Sequence, residues 1–437
     1  MMPAVVPWIL VLLVSACVVL MAAELWELLV LTLGAVDLLR RRASATDAGN
    51  RVLLKSTLTA AVSVIAVPPD ASADSLHFIR RLLNLHYGQY EVLVVLNDPS
   101  EAELAVWKEE FRLEPSPRSP ATLIETAPVR YVFSSGGSDY LIVVAKSKGD
   151  LADSLNAGVN LAAGPYVAIA NSHTRFSESA LLRLIRPVLR DPENIIGACT
   201  WSSPSAALGI AGRVQTLEYL RTLLWRSAGL SRWNACLPPP GSLVLLNRDT
   251  LAKARGFRAG SLAMVVHLYA LARAQGRPNR IELVPDPDTQ PLNLPAGESL
   301  REPLLRDRSD VRDALRLFGG LCLNFGAVGW VAVPAMWFGQ YFRPLLEAAA
   351  LVFALLALVL DRPEAYPGCA LLGLTLALRI LVSMTAVILN EAVARPDATP
   401  GELAALFFSS IYSPLRFFSY AVNCRRYFSK PSRPIRP

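Results

Sequence analysis

Apolar residues in this chain gather at its two ends, while the middle alternates short apolar runs with polar turns. Residues 4–23 (AVVPWILVLLVSACVVLMAA) carry no charge and have the length a helix needs to cross hydrocarbon. A cleaved leader would open on basic residues, which Met1–Pro3 lacks, and its apolar core would be shorter. This run instead continues past Glu24 and Glu27 to Leu39, so the pattern predicts a retained transmembrane helix over 1–39. A second apolar block occupies 321–437 and predicts about four C-terminal spans, at 321–340, 344–360, 367–390 and 402–423. Pro414 and Arg416 interrupt the last, which therefore also fits a helix lying in the membrane interface.

The middle, 40–298, has the pattern of an α/β domain. AVSVIAV (61–67) and EVLVVL (91–96) are β-branched runs of strand length, each closed by a turn signal, PPD at 68–70 and NDPS at 97–100. Between them Leu76, Ile79, Leu82 and Leu83 fall on one face of a helix, giving a strand–helix–strand unit and a parallel pair. YLIVVA (140–145) and YVAIA (166–170) are further strands, separated by a helix through 154–161. Strands that are apolar throughout belong in a sheet covered by helices on both faces. Residues 299–320 keep amphipathic spacing through Leu300, Leu304, Val311, Leu315 and Phe318 and predict an interfacial helix.

Composition agrees with membrane residence. Of 437 residues, 53% are hydrophobic and 18% charged, against about 25% charged in soluble domains. Disorder, a collagen-like fibre and a disulfide scaffold are excluded for the chain as a whole. The net charge of +7 comes largely from Arg40–Arg42 and from Arg425, Arg426, Lys430, Arg433 and Arg436, where it marks cytoplasmic flanks and not nucleic-acid binding. The charge rule places the N-terminus outside and the central domain in the cytoplasm, anchored in the cytoplasmic (inner) membrane. With five spans, residues 45, 363 and 432 would all be cytoplasmic, and Arg343 would lie in an outside loop. Arg379, inside an apolar run, either faces a partner helix or a polar cavity or, the reading favoured here, snorkels or pairs with Glu391. Cys17, Cys199, Cys236, Cys322, Cys369 and Cys424 show no metal-ligand spacing and fit a reduced setting.

Phosphate-binding G-x-x-x-x-G-K-[ST] loops, a G-x-G-x-x-G after a strand and a G-x-S-x-G elbow are all absent. What the chain does carry is YGQYEVLVVLNDPS (87–100), DLADSLNAGVNLAAGPYVAIANSHTRF (150–176), VQTLEYLRTLLWRSAGLSRWNACL (214–237), RGFRAG (255–260) and IELVPDP (281–287). In that order, between membrane segments, these resemble the landmarks of membrane-embedded family 2 glycosyltransferases, which include cellulose, hyaluronan and poly-N-acetylglucosamine synthases. The resemblance implies a GT-A-like, Rossmann-type mixed sheet flanked by helices, and inverting transfer from a nucleotide sugar. In that family an Asp-x-Asp turn holds a divalent cation against the leaving diphosphate. A Glu-Asp pair supplies the base, and a Gln-x-x-Arg-Trp motif clamps the diphosphate.

Here those positions read differently. The Asp-x-Asp turn falls on Asn171, Ser172 and His173, and His suits Mn²⁺ better than Mg²⁺. The Glu-Asp pair falls on Ala263 and Met264, and Met accepts no proton. The diphosphate clamp falls on Asp307, Asp310 and Val311, whose carboxylates repel a diphosphate. Asp98 stands where the resemblance places a base or ribose contact, and Asn97-Asp98-Pro99 equally reads as a plain turn. Asp150 and Asp153 flank a helix start and read as capping residues.

Two functions follow. One is a pseudoglycosyltransferase, a scaffold or regulatory partner of an active glycosyltransferase or a polysaccharide export complex. The other is an active enzyme with a rebuilt site that uses a UDP-sugar with Mg²⁺ or Mn²⁺. Membrane lipid is a partner in either case, and nucleic acid in neither. A channel or transporter made of the C-terminal helices alone is disfavoured because they carry few polar residues.

Overall fold

The computed structural model describes residues 6–44, 60–121, 123–136, 138–170, 176–201, 209–239, 242–257, 265, 268–269, 280–285, 326–359 and 366–393. Among them, strands β1 (Val62–Ala66), β2 (Tyr90–Asn97), β3 (Leu113–Pro115), β4 (Val129–Ser135), β5 (Ser138–Lys146), β6 (Tyr166–Ala170), β7 (Ile195–Thr200), β8 (Val244–Asn247) and β9 (Arg280–Val284) form one sheet. Its order is β3-β4-β5-β2-β1-β6-β8-β7-β9. The central strands β5, β2, β1 and β6 are mutually parallel, whereas β3, β4 and β8 pair antiparallel to their neighbours. The mixed α/β sheet expected from the chain is therefore present.

The apolar strand runs are explained by what covers them. Val64, Val92 and Val94 face one core with Phe78, Ile79 and Leu82 of helix α2 (Ala73–Leu83) and Trp107 of α3 (Glu101–Phe111). Ile65, Leu93 and Val95 face the other with Leu155 and Val159 of α4 (Leu151–Leu161). Alternate side chains point to opposite faces, so a strand buried on both sides has no polar positions to show. Polar residues appear where helices begin. Ser72 caps α2, and Ser100 with Glu103 forms a reciprocal capping box on α3. Asp150 caps α4 by accepting from the Asp153 backbone N–H at 2.7 Å. Helix α5 (Ala180–Arg190) packs its apolar face on β7 and its neighbours.

Helix α1 (Val6–Ser44) has two differently packed halves. Leu13, Cys17 and Leu20 pack against Ala350, Leu371 and Leu372, whereas Leu31, Ala35 and Leu38 belong to the core of the α/β domain. The second half lies against α6 (Gly209–Thr222) and its π-helical continuation Leu223–Gly229. There the two backbones touch. A Cβ on Gly34 would overlap the Gly229 nitrogen and come within 2.6 Å of the Ala228 carbonyl carbon. Trp26 stacks on Trp233 at 6.1 Å beside this crossing.

The C-terminal helical region also departs from expectation. The spans expected at 321–340 and 344–360 are joined, since the π turn Val328–Ala332, α7 (Val333–Trp337), the π turn Phe338–Phe342 and α8 (Arg343–Val359) follow without a break. Arg343 thus lies within a helix and not in an outside loop. Helix α9 (Tyr366–Val393) follows. Two described segments, Val11–Arg40 and Tyr366–Glu391, are long and apolar enough to cross a membrane. Residues 402–423 and 299–320 lie outside the described residues.

At the junction between bundle and α/β domain sits a buried charge cluster. Arg343 Nη1 bonds Glu27 at 2.8 Å, its Nη2 pairs with Glu24, and its Nε reaches Glu347 at 3.1 Å. Arg221 of α6 bonds Glu27 at 2.8 Å and Glu24 at 3.2 Å. Arg379 pairs with Glu347 at 2.6 Å and approaches Glu218 at 3.8 Å, so its partners are these and not the expected Glu391. The pairings also fix helix direction. Arg343 lies beside Glu24 and Glu27, while Ala350 lies beside Leu13 and Leu20, so α8 runs antiparallel to α1. Helix α9 runs parallel to α1, which puts Val359 and Tyr366 at the end of the bundle remote from the α/β domain.

Removing one member of a buried ion cluster strands its partners. Arg343→Met is expected to cost about 3–5 kcal/mol in denaturant unfolding of the detergent-solubilised protein. A loss below about 1 kcal/mol, the value of a surface pair, would show that the cluster does not hold the junction.

Candidate functional site at the carboxyl edge of the sheet

Open α/β sheets bind ligands outside the carboxyl ends of their parallel strands, where successive strands depart in opposite directions. In this sheet β2 lies on one side of β1 and β6 on the other, so the crevice opens beyond Ala66, Asn97, Lys146 and Ala170. The residues just past those ends carry a cluster of polar side chains.

Past β1, Asp70 accepts hydrogen bonds from Ser72 Oγ at 2.6 Å, the Ser72 N–H at 3.1 Å and Ser75 Oγ at 2.9 Å. These bonds, Ser72's first, hold its carboxyl below the usual range for an aspartate. Past β2, Asp98 has φ of 55°, a left-handed conformation that Asp tolerates better than most residues. Its N–H donates to the Lys146 carbonyl at 3.0 Å, and its half-exposed carboxylate accepts from Arg130 Nη2 at 2.6 Å. Arg130 Nη2 also donates to the Lys146 carbonyl at 3.0 Å.

Beneath this pair is a buried lysine. Lys146 is 0% exposed, and its ammonium pairs with Asp153, donates to the Ser147 carbonyl at 2.9 Å and approaches Asn97 Oδ1 at 3.4 Å. Asn97 clasps Gly149 with two hydrogen bonds, donating to its carbonyl at 2.8 Å and accepting from its N–H at 2.9 Å. Asp153, expected to cap α4 alongside Asp150, instead accepts from the Ala127 N–H at 2.8 Å and neutralises Lys146. The loop that closes β5 is thereby pinned to the end of β2.

Of the residues singled out from the sequence, Asp98 is the one on the described part of this edge. Asn171 and His173 follow directly on β6, but they lie outside the described residues, as do Ala263, Met264, Asp307, Asp310 and Val311. Among the described residues no group of three or more His, Cys, Asp or Glu could hold a metal ion. Arg130, Lys146 and Gly149 carried no motif signal, because each acts through a partner on another element. Cys199 and Cys236 meet in the core with sulfurs 4.0 Å apart, and burial pushes the Cys199 thiol well above its ordinary range.

No protein-family model matches the chain, and no curated protein matches it. Solved structures do. The chain is similar to mannosyltransferase PcManGT from Pyrobaculum calidifontis, in complex with GDP-Man and Mn²⁺, at 15% identity and a TM-score of 0.53. The match covers 92% of this chain and 99% of that one. It is also matched to Staphylococcus aureus TarS 1–349 with UDP-GlcNAc, at 14% identity and a TM-score of 0.38 over 82% of this chain and 92% of that one. Glucosyl-3-phosphoglycerate synthase from Mycobacterium tuberculosis gives 14% identity and a TM-score of 0.37 over 62% of this chain and 83% of that one. The chain has a GT-A-like glycosyltransferase fold.

The clasped loop makes a direct prediction. A Cβ on Gly149 would overlap Asp153 Oδ2 and lie 2.7 Å from Lys146 Nζ. Gly149→Ala is expected to destabilise the domain by about 1–3 kcal/mol in thermal unfolding. Unchanged stability would mean that the lysine and aspartate can part freely.

Proposed function

We propose that this is a membrane-anchored pseudoglycosyltransferase. In this reading it keeps the nucleotide side of a GT-A crevice, lacks the catalytic groups, and serves as a scaffold or regulatory partner in the synthesis or export of a cell-surface glycan. The observation that carries the reading is a contrast between the described carboxyl edge and the sequence at the positions where the resembled family does chemistry. Asp98 and its supports are held at the carboxyl edge, whereas the metal, base and clamp positions of the resembled family hold Asn171, His173, Met264, Asp307, Asp310 and Val311. Replacing the metal carboxylate, the base and the clamp together removes more than any one compensation restores. The alternative is an active inverting enzyme with a rebuilt site. The Mn²⁺ and GDP-Man bound by the similar mannosyltransferase favour that alternative. In that case His173 is a candidate Mn²⁺ ligand.

Titrating the detergent-solubilised full chain with UDP, GDP and their sugars, with and without Mn²⁺, separates the two. The pseudoenzyme reading expects nucleotide binding with no sugar release in the presence of native membranes, together with co-purification of a second glycosyltransferase. Mn²⁺-dependent sugar transfer by the isolated protein would overturn it.

Three membrane crossings fit the bundle geometry: α1, α8 and α9. The support is the placement of Val359 and Tyr366 remote from the α/β domain, and the basic residues between Arg425 and Arg436 that favour a cytoplasmic tail. Reporter fusions at 45 and 432 should then read cytoplasmic and a fusion at 363 non-cytoplasmic. A cytoplasmic signal at 363 would restore the five-span arrangement.

A further inference from the structure

Two unusual backbone features meet at one ion pair on the carboxyl edge. Asp98 holds a left-handed conformation at the end of β2. Opposite it, the pairing of β4 with β5 slips by one residue, since Val129 faces Lys146 and Tyr131 faces Ala145. Arg130 is the residue left over, a β-bulge at the sheet end where the ligand crevice opens. Bulges re-aim a side chain away from the regular alternation and are over-represented beside active sites. Here the bulge sends a guanidinium across β5 to the turn after β2.

The pair leaves much of its hydrogen-bonding capacity open. Arg130 spends a single nitrogen, Nη2, on both of its bonds. Its Nε and Nη1 have no hydrogen-bond partner among the described residues, and neither does Asp98 Oδ2. Both side chains are accessible, at 39% and 47% exposure. A carboxylate has about four acceptor positions, and a guanidinium five donors in a fixed fork. The free edge of the pair therefore presents two carboxylate acceptors next to a guanidinium donor.

We propose that Arg130 and Asp98 together read a nucleobase, and that the base they select is guanine. This rests on the nucleotide-site reading above and deepens it. Among the common bases, guanine carries two adjacent N–H donors, N1–H and N2–H, followed by a carbonyl acceptor, O6. The two N–H groups match the Asp98 carboxylate, and O6 matches the free donors of Arg130. Uracil offers one N–H flanked by carbonyls, so one of them would face the carboxylate. Adenine and cytosine each offer a single amino group beside a ring-nitrogen acceptor. Arg130 is a specificity-determining residue in this arrangement, and its pairing with Asp98 keeps both groups oriented before the nucleotide arrives.

The test is calorimetric titration of the full-length protein in detergent with GDP, UDP, ADP and CDP. GDP is expected to bind about tenfold or more tightly than each of the others, the scale of one good bidentate base contact. Arg130→Met, which keeps the apolar stem, should remove the share of the preference that O6 supplies and bring GDP to within a few-fold of the other three, the remainder resting on Asp98. Arg130→Lys, which keeps the charge but not the fork, should lose most of the preference and covers the case in which the Met variant unfolds. A preference for another base, or a GDP preference that survives both substitutions undiminished, overturns the role of Arg130 while leaving a nucleotide site standing. Binding of no nucleotide at all overturns the nucleotide-site reading itself.

Discussion

The fold depends on charges that are not in water. Glu24 and Glu27 sit in the middle of the longest apolar helix, and each would be untenable there alone. They are tolerated because Arg221 arrives from the α/β domain and Arg343 from the C-terminal helices. The same cluster, extended through Glu347 to Arg379, touches α1, α6, α8 and α9. Apolar packing between helices is permissive about rotation and sliding. Bonds of 2.6–3.2 Å between guanidinium and carboxylate are not, so the cluster sets the register of the bundle and seats the α/β domain on it.

The carboxyl edge uses polar groups in another way. Lys146 is enclosed and neutralised by Asp153, and Asn97 spends its amide on Gly149. These interactions are internal and leave nothing for a ligand. Above them the Asp98–Arg130 pair is open to solvent. A rigid, self-satisfied floor beneath an accessible polar pair is a sound way to present a binding edge, because the supporting groups have no competing water to lose when a ligand docks.

Much of the fold was legible in the chain. The runs at 61–67, 91–96, 140–145 and 166–170 became β1, β2, β5 and β6, and their uniform apolarity correctly signalled a sheet covered on both faces. The antiparallel strands β3, β4, β7 and β8 gave no comparable periodic signal. β4 carries a bulge, exposed Tyr131 and half-buried polar residues, and β3 spans three residues. The charges inside apolar runs were visible as anomalies, yet their partners were not. Glu391 is the nearest acid in sequence to Arg379, and the acid it bonds is Glu347 on another helix. Sequence spacing finds i, i+4 neighbours but has no access to contacts between helices. The same limit hid Arg130, whose partner lies 32 residues away. Family resemblance singled out Asp98 and could not show what stands beside it.

The charge cluster also has a history in time. Arg221 is 197 residues from Glu24, and Arg343 is 319. At ribosomal rates of about 5–20 residues per second, α1 waits roughly a quarter of a minute to a minute after its own synthesis before Arg343 exists. Arg221 follows Glu24 sooner, after about 10–40 seconds at those rates, so the two glutamates meet one guanidinium before the other. A chain cut short before Arg343 has Arg221 alone for those two carboxylates. The cluster is therefore complete only once the C-terminal helices have been made.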